Sequence, residues 1–199
     1  MPSLTDYELG HELGEGNFGV VYSARHLITK EEVAIKFETQ DMPSSLLKHE
    51  AKVLLSLKGT RGVPRLISYG SCKGIKFLIM ERMISCVNDR SLKQYEKTLD
   101  GIENELCDVL KGIHSKGFIH RDVKPDNIMF DMSGNLTLID YGLATSYRSN
   151  KSLSVTRSKG IVGTKAFLGP MGLQGYVCPD VDMESMKKTI DFYRDNYKN

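Results

Sequence analysis

The sequence predicts an α+β fold in two lobes, with strands leading and helices following. The first third alternates apolar and polar residues with a period of two, and turn residues separate its strand-like runs. Past residue 44 the apolar spacing changes to three and four, the period of an amphipathic helix. A chain of 199 residues suits one domain or two small lobes and can bury most of the surface that its unfolded form exposes.

Residues 7–13, 19–26 and 31–39 read as a small antiparallel meander. Residues 44–57 read as a helix begun by Pro43, Ser44 and Ser45, with Leu47, Ala51 and Leu54 on one face and Lys48 and Lys52 on another. Two more strands fit residues 65–69 and 75–82, followed by helices at 88–97 and 100–116. In the second helix Ile102, Leu106, Val109, Leu110 and Ile113 form an apolar stripe, and Gly117 ends it. Residues 135–140 alternate as a short strand, a long irregular segment runs to about residue 179, and a last helix begins near Asp180.

With 27 basic and 25 acidic residues the net charge is +2, which gives no expectation of a nucleic-acid partner. No apolar run reaches the length of a membrane span, and MPSLTDYELG lacks the pattern of a signal peptide. The four cysteines are widely spaced and read as reduced thiols, so the expected location is intracellular, cytoplasmic or nuclear.

Three stretches carry chemistry. Gly14, Gly16 and Gly19 in LGEGNFGVV lie between two strands, where a glycine hairpin serves either a simple turn or the approach of backbone amides to phosphate. A dinucleotide-binding turn should open a helix, whereas GVVYSARH continues as a strand. Lys36 ends the apolar run Val33-Ala34-Ile35, and Glu50 sits between Leu47 and Leu54 on the apolar side of the next helix. Each could be a surface charge on a long stem, but a buried ammonium needs an opposite charge, and the two are misplaced together. The stretch GFIHRDVKPDNIMF brackets six polar residues with apolar ones. Phosphoryl transfer needs a carboxylate, a cation and oxygen ligands for magnesium, and Asp122, Lys124 and the pair Asn127 and Asp140 supply them in order.

GEGNFGVV, VAIK, Glu50, HRDVKPDN and DYG resemble a eukaryotic protein kinase in order and spacing, over residues 13–142. IHSKGFIHRDVKPDN, IDYGLA followed by Tyr147-Arg148, Gly163-Thr164 with Gly175, and Asp182-Met183-Glu184-Ser185 resemble the casein kinase 1 group most. Neither APE nor that group's S-I-N triplet stands at FLGPMG.

The resemblance implies a bilobal kinase fold, with an N-lobe at 7–82 and a C-lobe at 83–199. It implies ATP and Mg2+ as cofactors and serine/threonine side chains of proteins as substrates. Asp122 would be the base, Lys124 would neutralise the migrating charge, and Thr164 would hydrogen-bond near Asp122. Asn127 and Asp140 would hold magnesium, and Lys36, oriented by Glu50, would grip the α and β phosphates. Leu13, Gly14, Glu15, Gly16, Asn17, Phe18, Gly19, Val20, Val21 and Ala34 would enclose the nucleotide beside Met80 in the gatekeeper position, with the backbones of Glu81 and Met83 on adenine. Arg121 would be available to a phosphate on the following segment.

From residue 141 to 179 the chain carries no Asp or Glu but has Arg148, Lys151, Arg157, Lys159 and Lys165. This reads either as a solvated basic loop or as a surface for acidic or pre-phosphorylated peptides, although Ala166 stands where the resembled group has arginine. Only 17 residues follow Asp182, whose carboxylate would tie down the catalytic-loop backbone. A C-lobe shortened after its central helix would leave Met183, Met186 and Ile190 as a poorly covered stripe, implying a partner or self-association. Two functions therefore stand: an active serine/threonine kinase, and an inactive relative acting as nucleotide-binding decoy or scaffold. Lys124 and the VAIK lysine argue against a small-molecule phosphotransferase.

Overall fold

The alternation of the first third becomes one antiparallel sheet. In the computed structural model, which describes residues 3–16, 19–38, 46–147 and 156–197, the chain divides into two compact units. One is Met1–Gly59 with Pro64–Met83, and the other is Thr60–Val63 with Ile84–Asn199.

The first unit holds β1 (Tyr7–Gly16), β2 (Gly19–His26), β3 (Glu32–Phe37), α1 (Leu46–Ser56), β4 (Leu66–Cys72) and β5 (Ile75–Glu81), with the sheet ordered β1-β2-β3-β5-β4. β3 is the middle strand and reads as a nearly continuous apolar run because both of its faces are covered. Val33 and Ile35 pack with Tyr7, Ala24, Phe77 and Ile79 on one face. Ala34 and Lys36 point to the other, which α1 covers with Leu47, Glu50, Ala51, Val53 and Leu54. The start of the helix expected at residues 44–45 lies outside the described residues.

The second unit holds β6 (Ser85–Cys86), α2 (Asp89–Gln94), α3 (Leu99–Ser115), β7 (Phe118–Ile119), β8 (Ile128–Phe130), β9 (Leu136–Leu138), β10 (Thr145–Ser146), β11 (Thr156–Arg157), α4 (Pro170–Leu173), β12 (Tyr176–Val177) and α5 (Pro179–Asn196). Thr60–Val63 joins it because Gly62 accepts from the Leu138 amide at 2.9 Å, and at φ +72° its missing Cβ makes room for Val109. All five residues of the expected α3 stripe are buried. Gly117, at φ +86°, bonds back to the His114 carbonyl and closes the helix.

Two expectations need correction. The segment after residue 141 is less irregular than its composition suggests, since β10 pairs with β7 and β11 with β12. Two-residue strands paired with distant partners leave no periodic trace in sequence. Met186 and Ile190 are also covered, at 4% and 1% exposure, because α5 packs against α3 and α4; Met183 is half-buried. The apolar argument for a partner on that stripe therefore fails. No helix of the described residues is long and apolar enough to cross a membrane.

Candidate active site

Strand register gathers one group of the expected residues in the first unit. Val21 lies opposite Lys36, and Lys36 opposite Leu78, while Ala34 lies opposite Met80; directly paired residues share a face. Val21, Ala34, Lys36 and Met80 therefore share the face that carries the ion pair from Lys36 Nζ to Glu50 Oε2, at 2.8 Å. With Lys36 5% and Glu50 1% exposed, removing either partner would strand a buried charge.

Val20 does not join this group. It pairs with Phe37 and points to the opposite face, because side chains alternate along a strand. The Glu81 amide is bonded to the Arg65 carbonyl at 3.0 Å, and Met83 is buried.

The glycines separate by local geometry. A Cβ on Gly19, at φ +116°, would stand 2.1 Å from the Phe37 carbonyl oxygen, so strand packing alone requires glycine there. A Cβ on Gly14 would meet nothing within 4 Å, so no neighbouring atom requires glycine at this position. Leu13 and Glu15 are exposed beside it on β1, which ends with Gly16; Asn17 and Phe18 lie outside the described residues.

In the second unit the loop between β7 and β8 brings the other group together. Asp122 is 5% exposed. Its Oδ1 accepts from the Thr164 hydroxyl at 2.7 Å and the Thr164 amide at 2.9 Å. Its Oδ2 lies 3.1 Å from Lys124 Nζ and 3.2 Å from Asn127 Nδ2, and Asn127 also donates to the Asp122 carbonyl at 2.9 Å. Lys124 Nζ lies 3.2 Å from Thr164 Oγ1. Burial pushes the Asp122 carboxyl up, but the Thr164 hydroxyl, Lys124 and the Thr164 amide together hold it below the ordinary carboxylate value. The base candidate is therefore ionised at neutral pH.

His120 is wholly buried, and burial lowers its pKa against the opposing pull of Asp182, Asp140 and Asp122. Nε2 faces the Ile139 carbonyl at 3.0 Å and must donate, while Nδ1 faces the Asp122 amide at 3.3 Å and must accept, so the ring is the neutral Nε2–H tautomer. Tyr141, fully buried where the resembled family has phenylalanine, packs edge-on against it at 4.8 Å. Asp140 holds φ +64°, and its Oδ1 accepts weakly from Gly142 at 3.5 Å.

The resemblance implied one support of this loop, and sequence reasoning missed the others. Asp182, with no exposure, accepts from the His120 and Arg121 amides at 2.8 Å each, as the resemblance implied. His114 Nε2 also reaches Asp182 Oδ2 at 2.9 Å; its place on the buried stripe of α3 was the available signal. Arg121 sits at φ +69°, and its Nε donates to the Leu143 carbonyl at 2.7 Å. Gly163 holds φ +108°, and any Cβ there would stand 2.2 Å from the Arg121 carbonyl oxygen, so this glycine lets Thr164 reach Asp122.

Of the basic residues, Arg148 and Lys151 lie outside the described residues, as do Ser149, Ser152 and Ser154. Arg157 lies over the Tyr176 ring, 4.5 Å from its centroid, and Lys165 is exposed. In comparison with known families, the model of the protein kinase domain matches residues 7–189.

Proposed function

The chain belongs to the protein kinase domain family, and from that premise we propose that it transfers the γ-phosphoryl group of ATP to serine and threonine hydroxyls of proteins. The observation that carries this reading is the Asp122 carboxylate, fastened through Oδ1 to Thr164 and faced at Oδ2 by Lys124. Oδ2, with the longer contacts, is the oxygen that orients the substrate hydroxyl and receives its proton. A carboxyl held this acidic is a weak base, which suits a loose transition state in which the proton moves late and positioning carries most of the rate.

Lys124 supplies positive charge beside the attacking oxygen, and Lys36, held by Glu50, binds the α and β phosphates. Asn127 and Asp140 fit magnesium, because both offer hard oxygen ligands and the Asn127 NH2 is committed to Asp122, which leaves Oδ1 as its ligand atom. Bound magnesium would neutralise the phosphate oxygens. Serine/threonine selectivity rests on Lys124 two residues after the base. Likeness to the casein kinase 1 group rests on the motifs quoted above. A preference for acidic or pre-phosphorylated peptides belongs to the same proposal and is supported by the exposed Lys165.

Incubation with magnesium, ATP and acidic or neutral serine-containing proteins tests the reading, beside Asp122→Asn. Transfer lost in that variant, and strongest on the acidic protein, is the expected result. Thermal stabilisation by nucleotide without transfer to any substrate would instead establish the decoy or scaffold.

Thr164→Val tests how Asp122 is kept ionised. The change removes the hydroxyl bond that most lowers the carboxyl, so burial is opposed less and the pKa rises. The acid limb of the kcat profile should then move to higher pH. In the wild type it should lie below the ordinary carboxylate range.

A further inference from the structure

Two adjacent carboxylates stand at the start of β3, and each holds an arginine beside the end of β5. Glu32 pairs directly with Arg25 of β2 in the sheet register. Val33 pairs with Glu81, so the same register, continued by one residue, sets Arg82 opposite Glu32 on its other side. The Glu32 carboxylate therefore sits between two guanidinium groups: Arg25 Nη2 reaches Oε1 at 3.1 Å, and Arg82 Nη1 bonds to Oε2. Glu31 Oε1 meets Arg65 Nη2 at 2.5 Å. The Arg65 carbonyl accepts from the Glu81 amide at 3.0 Å, and the Arg65 amide donates to Glu81 Oε2 at 3.2 Å. All of these residues lie in the first unit.

The Arg82 side chain is the more buried of the two arginines on Glu32, 20% exposed against 56% for Arg25. Its Nε is shielded from solvent and meets no acceptor among the described residues. A buried donor left unmet costs free energy, so the guanidinium keeps this position because Glu32 holds it. Without that carboxylate it has room to withdraw, since an open recess lined by Glu8, His11, Ser23, Arg25 and Glu32 lies against it. Ion pairs that solvent reaches add little to folding, so the row of charges matters less to overall stability than to the course of the backbone at residues 81–83.

We propose that Glu32 is a positioning residue for the nucleotide, holding the backbone of residues 81–83 through Arg82, with Glu31 bracing the same stretch through Arg65. This rests on the nucleotide half of the kinase reading, in which the backbones of Glu81 and Met83 carry adenine, and it adds side chains that none of the quoted motifs assigns to adenine. Because solvent reaches Arg25 and Glu32, salt screens the row, and the affinity for adenine falls as ionic strength rises.

The test titrates adenosine, a neutral ligand with no phosphate for Lys36 or magnesium, beside ATP. Calorimetry compares wild type, Glu32→Gln, Arg82→Met, Arg82→Lys and the double variant of Glu32→Gln with Arg82→Met. Each of Glu32→Gln and Arg82→Met should raise the adenosine Kd about threefold, and the double variant no further, because both changes break one contact. Arg82→Lys should stay near wild type. Raising the ionic strength from about 0.05 M to about 0.5 M should carry the wild-type Kd toward that of Glu32→Gln and move that variant's Kd far less. KM for the protein substrate should hold throughout. If Glu32→Gln melts well below wild type, Arg82→Met decides, since it leaves the Arg25 pair in place. Equal adenosine Kd values in wild type and Arg82→Met, additive effects in the double variant, or the same salt dependence in Glu32→Gln as in wild type would each overturn the inference. A wild type that binds both ligands but transfers nothing overturns the kinase reading alone, because the Kd comparison still decides the role of Glu32. A wild type that binds neither overturns both.

Discussion

Asp122→Asn is expected to lower kcat by about 10²–10⁴-fold, the usual contribution of a positioned base. Asparagine keeps the shape and can still accept from Thr164 through its oxygen, so the 163–164 turn should persist. What disappears is the anionic Oδ2 that faces Lys124 at 3.1 Å and would orient the substrate hydroxyl. KM for ATP should change little, because the proposed nucleotide ligands Lys36, Asn127 and Asp140 are retained. The thermal midpoint should fall less than in Asp182→Asn: the new NH2 faces the Asn127 amide, but Asn127 keeps its bond to the residue-122 carbonyl, and the Lys124 ammonium is partly exposed and screened by solvent. Steady-state kinetics and a melting curve on the same preparation check both halves. A kcat within a few-fold of wild type would remove Asp122 from the chemistry.

Asp182→Asn is expected to be the most destabilising single change, costing about 3–5 kcal/mol. The wild-type carboxylate is fully buried and takes three donors, the amides of His120 and Arg121 and the ring Nε2 of His114. An asparagine offers one oxygen, and its NH2 must then face at least one donor. The clamp also holds Arg121 at φ +69°, a conformation that costs a non-glycine residue about 1–3 kcal/mol unless its surroundings impose it. Urea unfolding should show the loss directly. Amide exchange should rise first at His120 and Arg121, and transfer should fall with it because Asp122 follows immediately in the chain. Unchanged protection at those two amides would mean that the loop is held elsewhere.

Much of the site was legible because its residues sit where packing alone would not put them. Lys36 ends an apolar strand run and Glu50 interrupts an apolar helix face, and each makes sense only if it meets the other, as it does at 2.8 Å. HRDVKPDN stood out as a candidate site because apolar residues bracket its charges. Val20 was harder, since alternation sends neighbouring residues to opposite faces and a motif read as a block ignores that. Met186 and Ile190 were read as uncovered by counting the residues that follow, whereas their cover comes from earlier and neighbouring helices. His114 was passed over because a histidine on a buried stripe gives no sign of its partner 68 residues away.

By itself the sequence determined the order of the longer strands and helices, the pairing of Lys36 with Glu50, and the set of groups proposed for phosphoryl transfer. These are local or period-based features, set by which residues can share a face. Only the tertiary structure decided that Thr164 holds Asp122 Oδ1 through both its amide and its hydroxyl, and that Gly163 must lack a Cβ beside the Arg121 carbonyl. Those depend on left-handed backbone at Arg121 and Gly163 and on contacts between residues some 40 positions apart, which no spacing along the chain encodes.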